Sequence, residues 1–210
     1  MSLKTLLIIL GLTPSVAMAQ SEGTIVFSET RQLDLSLDTD EGDEPDPAME
    51  QVRAMVAKMR SQSVQKTLSF SATASLYRNS EGEGDETFEN NMAAESGGEM
   101  QIQMVVMKPD DRLHVDHATG QVTEQRDFMG KKFLFNRVQP VREWKVGTEA
   151  KTIQGYACQQ LILKDTGDKV VAWFTPQIKA ASGPAGYGGA PGMILELNIN
   201  DGQRVITASN

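Results

Sequence analysis

The sequence predicts a mainly β chain, an antiparallel meander forming a half-barrel or open barrel with one amphipathic helix. Three observations carry that prediction. Short segments that mix or alternate apolar and polar side chains recur along most of the chain. Turn signals such as Pro109-Asp110-Asp111, Thr119-Gly120, Gly130 and Asn200-Asp201-Gly202 separate many of them. Only the stretch from Pro47 to Arg60 repeats its apolar residues at a helical period.

In chain order, residues 1–19 read as a secretory signal peptide. Lys4 supplies the positive start and Leu6–Leu12 the apolar run. Pro14 breaks it, and Ala17-Met18-Ala19 matches a small-x-small cleavage pattern before Gln20. A membrane anchor or a buried first helix is the competing reading, but spanning a bilayer takes about 20 apolar residues and this run has about half that. No later segment is long and apolar enough to span a membrane, and no cysteine follows the leader to carry a lipid anchor. Export to a periplasm or the extracellular space is the expectation, with residues 20–210 as one mature β-rich domain.

The mature chain opens with Thr24-Ile25-Val26-Phe27 and with the strict alternation of Leu33–Leu37, both strand patterns. An acidic run over 38–46 follows. As a calcium loop it fails, because Gly42 falls at the fifth place from Asp38 instead of the sixth, and Met49 stands where the bidentate glutamate belongs. A solvated linker is the better reading. In the helix, Asp46 is the cap, Pro47 suits the first turn, and Met49, Val52, Met55, Val56 and Met59 form the stripe. Leu68–Tyr77 then reads as a strand and the acidic, glycine-rich 81–89 as a loop. Further strands are expected at Gln101–Met107, Arg112–His117, Val122–Phe128, Lys131–Val138, Glu143–Val146, Tyr156–Lys164, Lys169–Thr175, Met193–Asn198 and Arg204–Ala208.

Composition excludes several function classes. With 28 acids against 20 bases the net charge is −8, and removing residues 1–19 takes away one base, Lys4, to leave −9. That balance argues against a nucleic-acid binder and against electrostatic docking on anionic lipid. A single cysteine, Cys158, allows neither an intrachain disulfide nor a multi-cysteine zinc site. In an oxidising compartment a lone thiol is expected to be buried.

The last third carries an ordered set of short motifs. Trp144 precedes Gly155-Tyr156-Ala157-Cys158; Ala172-Trp173-Phe174-Thr175-Pro176 follows, then Gly183-Pro184 and Gly189-Ala190-Pro191-Gly192-Met193-Ile194-Leu195. In combination these resemble the GLPGLI family of exported envelope proteins, whose name corresponds to the segment Gly189–Ile194 here, with Ala190 and Met193 in place of the two leucines. The likeness covers roughly residues 125–208. It implies export and a β-rich fold, and it implies no reaction. Trp144, Gly155, Tyr156, Cys158, Trp173, Pro176, Gly183, Pro184, Gly189, Pro191 and Gly192 are read as a folding signature. The functional alternative places the Ser182–Gly192 loop at the rim of a binding cleft.

Candidate chemistry is sparse. Cys158 with His114 or His117 is the only cysteine–histidine pairing for nucleophilic catalysis. Met100, Met104 and Met107 near His114 and His117 offer soft ligands suited to copper(I), but strand alternation puts Met104 and Met107 on opposite faces. Gly183–Gly189 is glycine-rich, yet no helix follows to aim N–H groups at a phosphate. Glu196 alternates against Met193, Leu195 and Leu197, so it is expected on the wet face. The leading expectation is a non-enzymatic exported domain that binds an apolar small molecule, a lipid or another envelope protein, in a cleft lined by side chains such as Phe70, Leu76 and Phe133. It needs no cofactor. The rival readings are a copper-handling envelope protein and a hydrolase.

Overall fold

The computed structural model describes residues 21–32, 63–82, 85–93, 99–106, 109–128, 130–164 and 167–209. Among them lie thirteen strands: β1 (Gly23–Arg31), β2 (Ser63–Phe70), β3 (Ala74–Asn79), β4 (Glu86–Ala93), β5 (Glu99–Val106), β6 (Arg112–Asp116), β7 (Gln121–Phe128), β8 (Lys131–Val138), β9 (Trp144–Ile153), β10 (Tyr156–Leu163), β11 (Val170–Thr175), β12 (Met193–Ile199) and β13 (Arg204–Ala208). The only helical element among the described residues is a 3₁₀ turn at Pro184–Gly186. The leader, Leu33–Leu37, the 38–46 run and the helix expected over 47–60 lie outside the described residues.

Eleven strands form one antiparallel sheet in the order β8-β7-β6-β3-β2-β1-β13-β12-β11-β10-β9, and β4 and β5 pair separately as a hairpin. The mainly β, antiparallel expectation holds, and the sheet is open, since β8 and β9 are its two edges. Those edges are consecutive in sequence, joined only by residues 139–143. Laid flat, ten strand spacings of about 4.8 Å would part them by roughly 48 Å. Six residue steps reach at most about 21 Å, so the sheet must curl.

The concave face of this curl holds the core. Along β1 the inward residues are Ile25, Phe27 and Glu29, each buried. Their registered partners continue the face: Ile25 opposes Leu68, Leu68 opposes Tyr77, and Phe27 opposes Ala208. Phe27 and Tyr77 meet edge-on with ring centroids 6.3 Å apart. On the other half of the sheet Leu161, Ala172, Leu197 and Ile206 share the same inward row. A register shift between Trp173 and Phe174 breaks the alternation there, and both aromatics are buried.

Three expectations needed correction. Leu68–Tyr77 is two strands, because Ser71 turns the chain: its side chain accepts from the Thr73 and Ala74 N–H groups. The 81–89 stretch is a loop only at its start, since Glu86 begins β4 and opposes Val106. The strand expected at Glu143–Val146 runs on to Ile153 as β9, where Gln154 (φ 48°) and Gly155 (φ 80°) turn it into β10. Positive φ at both central residues is the two-residue hairpin turn that matches strand twist, which gives Gly155 a structural role.

Candidate functional site

Most of the motif residues gather around the segment between β11 and β12. This segment does not stand free. Ser182, Gly183, Pro184, Gly188, Ala190 and Gly192 are buried. The turn at Pro184–Gly186 touches β12 on one half of the sheet and β3 and β6 on the other, so it bridges the concave face. The β8–β9 connection fastens it. Gln139 and Arg142 donate to the Gly186 carbonyl at 3.4 and 3.0 Å, and Trp144 Nε1–H donates to the Gly188 carbonyl at 3.0 Å. Arg142 also lies over the Tyr187 ring, 4.4 Å from its centroid. The expected rim is therefore a strap across the trough, with Pro176, Gly189 and Pro191 exposed along it.

The remaining sequence candidates separate. Phe70 is buried, Leu76 points to the opposite face from Ser75 and Phe70, and Phe133 stands half-exposed on the edge strand β8, so these three do not line one cleft. His114 is exposed on β6 and His117 follows that strand, while Cys158 lies on β10 with its thiol bonded to the Tyr156 carbonyl and not to a histidine. Met100 and Met104 sit on β5 in the separate hairpin, and Met107 lies outside the described residues. Among the described residues no three of His, Cys, Asp and Glu come close enough to hold a metal ion. Glu196 faces outward as expected but is not free. Lys151 Nζ reaches it at 2.6 Å while lying 4.3 Å over the Trp173 ring.

Cys158 is 3% exposed, and its thiol donates to the Tyr156 carbonyl at 3.4 Å. Burial pushes the thiol pKa up, against the weaker pull of a backbone hydrogen bond and Lys151. The thiolate is the reactive species. Native protein at pH 8 is therefore expected to react with an aromatic disulfide reagent at least about 100-fold more slowly than the same protein in guanidinium; comparable rates would show an accessible thiol.

Sequence reasoning missed a different constellation, at the open end of the concave face. A cavity of about 170 Å³ is lined by Glu29, Arg31, Lys66, Tyr77, Asp111, Arg112, Glu124, Arg126, Arg137 and Arg204, with Ala185 of the strap as part of its wall. Glu29 is its buried centre. Its Oε1 accepts from Arg31 Nε at 2.8 Å and Arg204 Nε at 3.0 Å, and its Oε2 accepts from the Tyr77 hydroxyl at 3.2 Å. Burial alone would raise the Glu29 pKa; the charges and hydrogen bonds of Arg204 and Arg31 outweigh it and hold the carboxyl below its usual range. Tyr77 moves the other way, raised by burial and then by the Glu29 charge, so it stays a protonated donor.

Around this centre the cations are unevenly spent. Arg126 pairs with Asp111 at 3.0 Å and with Glu124, whereas Arg137 reaches Glu124 only at 3.5 Å. Arg112, also in the lining, is paired with Asp110 through two bonds of 3.1 and 3.0 Å. With Lys132 those bonds pull the Asp110 pKa down to about 2. Lys66 donates to Asn79 Oδ1 and pairs with no carboxylate among the described residues. Burial lowers its pKa, and the Glu29 and Asp111 charges only partly offset that. One sequence signal pointed here. The inward row Ile25, Phe27, Glu29, Arg31 runs from apolar into charged residues without breaking its alternation.

A family model described as a protein of unknown function (Porph_ging) matches residues 162–196, which include Trp173, Pro176 and the Gly183–Gly192 motifs and leave out Trp144 and Cys158. No curated protein matches the chain. Among solved structures it is similar to PNGF-II, seen in two crystal forms. In the P21 form the identity is 12% with a TM-score of 0.54, covering 91% of this chain and 28% of that one. In the C2 form the identity is 13% with a TM-score of 0.53, covering 91% and 27%. Such a likeness shows the fold alone, and this chain spans less than a third of that protein's length.

Proposed function

We propose that the chain is an exported, non-enzymatic ligand-binding β-domain, a divergent relative of the GLPGLI family, released by cleavage near Ala19–Gln20. The observation that carries this reading is the cavity beside Glu29. Elsewhere the concave face is filled by apolar side chains, whereas here seven strands contribute charged or hydroxyl groups around open space. Two buried groups of this cavity support a binding role over catalysis. General acid–base work favours a group that titrates near the working pH. Glu29 is held ionised and Tyr77 held protonated. The strap supports the same reading, because it fixes one wall of the cavity with backbone and side-chain hydrogen bonds.

A partner-protein form of the reading rests on β8. Every residue of this edge strand is exposed, and Phe133, Leu134, Phe135 and Val138 offer apolar surface beside unpaired backbone groups. Native mass spectrometry of protein taken from the cell envelope tests both forms. A mature chain beginning at Gln20 and carrying a noncovalent small-molecule adduct is the expected result. Uncleaved protein confined to the cytoplasm would overturn the export reading, and an adduct-free chain in every preparation would overturn the ligand.

A further inference from the structure

We propose that the cavity beside Glu29 is an anion site, selective for a doubly charged tetrahedral oxyanion, phosphate or sulfate, either free or as the end group of a larger molecule. The proposal rests on the ligand-binding reading above and names its ligand class. The lining charges do not balance: Arg112 is offset by Asp110, which stands outside the lining, and Arg31, Lys66, Arg126, Arg137 and Arg204 face only Glu29, Asp111 and Glu124. The chain as a whole carries a net −8, so this local excess of two positive charges runs against its composition. Half-buried cations without counter-charge are costly, and a focused positive cleft draws anions.

The donors to hold such an ion are present. Arg204 spends only Nε on Glu29; among the described residues its two terminal nitrogens have no hydrogen-bond partner, and its side chain is 28% exposed. Glu29 is meanwhile saturated by Arg31, Arg204 and Tyr77, so it fixes the Arg204 guanidinium in place instead of competing for the ligand. A guanidinium fork so held suits two oxygens of an oxyanion, and Lys66 adds a point charge. The size limits the ligand. About 170 Å³ is below the roughly 300–1,000 Å³ of pockets that enclose drug-sized molecules.

The test is calorimetric titration and thermal melting of the purified protein with sodium phosphate, sulfate, acetate and malonate, at ionic strength held constant with sodium chloride. Phosphate and sulfate are expected to bind saturably at one site and raise the midpoint, while acetate does neither. Lys66→Met and Arg204→Gln are each expected to weaken phosphate at least about tenfold. Lys66 lies outside the Glu29 pairings, so its variant stays informative even if Arg204→Gln folds poorly. Glycerol 3-phosphate distinguishes the sources: binding no tighter than phosphate marks a free ion, and binding tenfold tighter marks an end group. Absence of a saturable phosphate or sulfate effect, unchanged affinity in Lys66→Met, or malonate binding as tightly as phosphate would overturn the proposal. A neutral adduct in the native mass spectrum with no anion response would sink the anion class alone and leave the ligand-binding reading standing.

Discussion

Replacing Gly192 by alanine is expected to cost about 3 kcal/mol or more, above the usual range for inserting one methyl into a packed site. A Cβ at this position would lie 2.1 Å from the Thr175 carbonyl oxygen, 2.9 Å from its carbon and 3.0 Å from Pro176 Cα. All three are backbone atoms, and they belong to the end of β11 that registers Thr175 against Met193 and Phe174 against Ile194. Relief therefore has to move the strand pairing itself, and with it Met193, Ile194 and Thr175, all fully buried. Two other glycines separate close approach from backbone strain. A Cβ on Gly147 would come as near, 2.1 Å, but to the Oε1 of Gln160, the far end of a flexible side chain. Gly147→Ala is expected to stay within about 1 kcal/mol of wild type, because strand glycine is itself unfavourable. Gly155→Ala meets no neighbour within 4 Å yet must hold φ near +80°, a conformation that costs an L-residue roughly 1–2 kcal/mol. Urea titrations at 25 °C should thus rank the three Gly192, Gly155, Gly147 in falling cost. A Gly192 variant as stable as the Gly147 variant would show that β11 and β12 are not held as closely as the register requires.

The same contrast explains which features were legible in the sequence. Strands bounded by turn chemistry, such as β7 between Thr119-Gly120 and Gly130, or β13 after Asn200-Asp201-Gly202, could be placed within a residue because both ends are marked locally. The break between β2 and β3 carries no glycine or proline; a serine side chain makes it, and Ser71-Ala72-Thr73 looks like the strand on either side. Strand order was out of reach for another reason. β3 pairs with β6 across the intervening hairpin, and β1 lies between β2 and β13, so the pairing is set by distant partners and not by local pattern. Among the motif residues, Gly155 takes the positive φ of a tight turn and Gly192 lies buried against the Thr175 carbonyl. Their collective position as a strap depends on the curl of the sheet, which no short motif encodes. The charged cavity was hidden for the same reason. Arg137 and Glu124 look like any solvated residues until their strands bring them to Glu29 from the far side of the chain.

Glu29→Gln is expected to lower stability by about 3 kcal/mol, the lower end of the range for breaking one side of a buried ion pair. The Glu29 side chain is 3% exposed, but Arg31 is 59% exposed and can turn to water once released, which limits the loss. Arg204, at 28%, has less freedom and bears most of the penalty. The pH dependence gives the sharper test. The folded-state pKa of Glu29 lies below the value of about 4.3 for a free glutamate, so the folded chain binds this proton less readily than the unfolded chain. Its stabilising contribution is therefore complete above about pH 4.3 and drains away as pH falls from there through the folded value. Asp110 and Asp116, also held below their usual range, add slope of the same sign in wild type and variant alike, so the difference between the two curves isolates Glu29. That difference should be flat from pH 5 to 7 and shrink toward zero below about pH 4.3. A difference that persists undiminished at low pH would mean that the loss comes from packing and not from the charge of Glu29, and the electrostatic account of the cavity would fall with it.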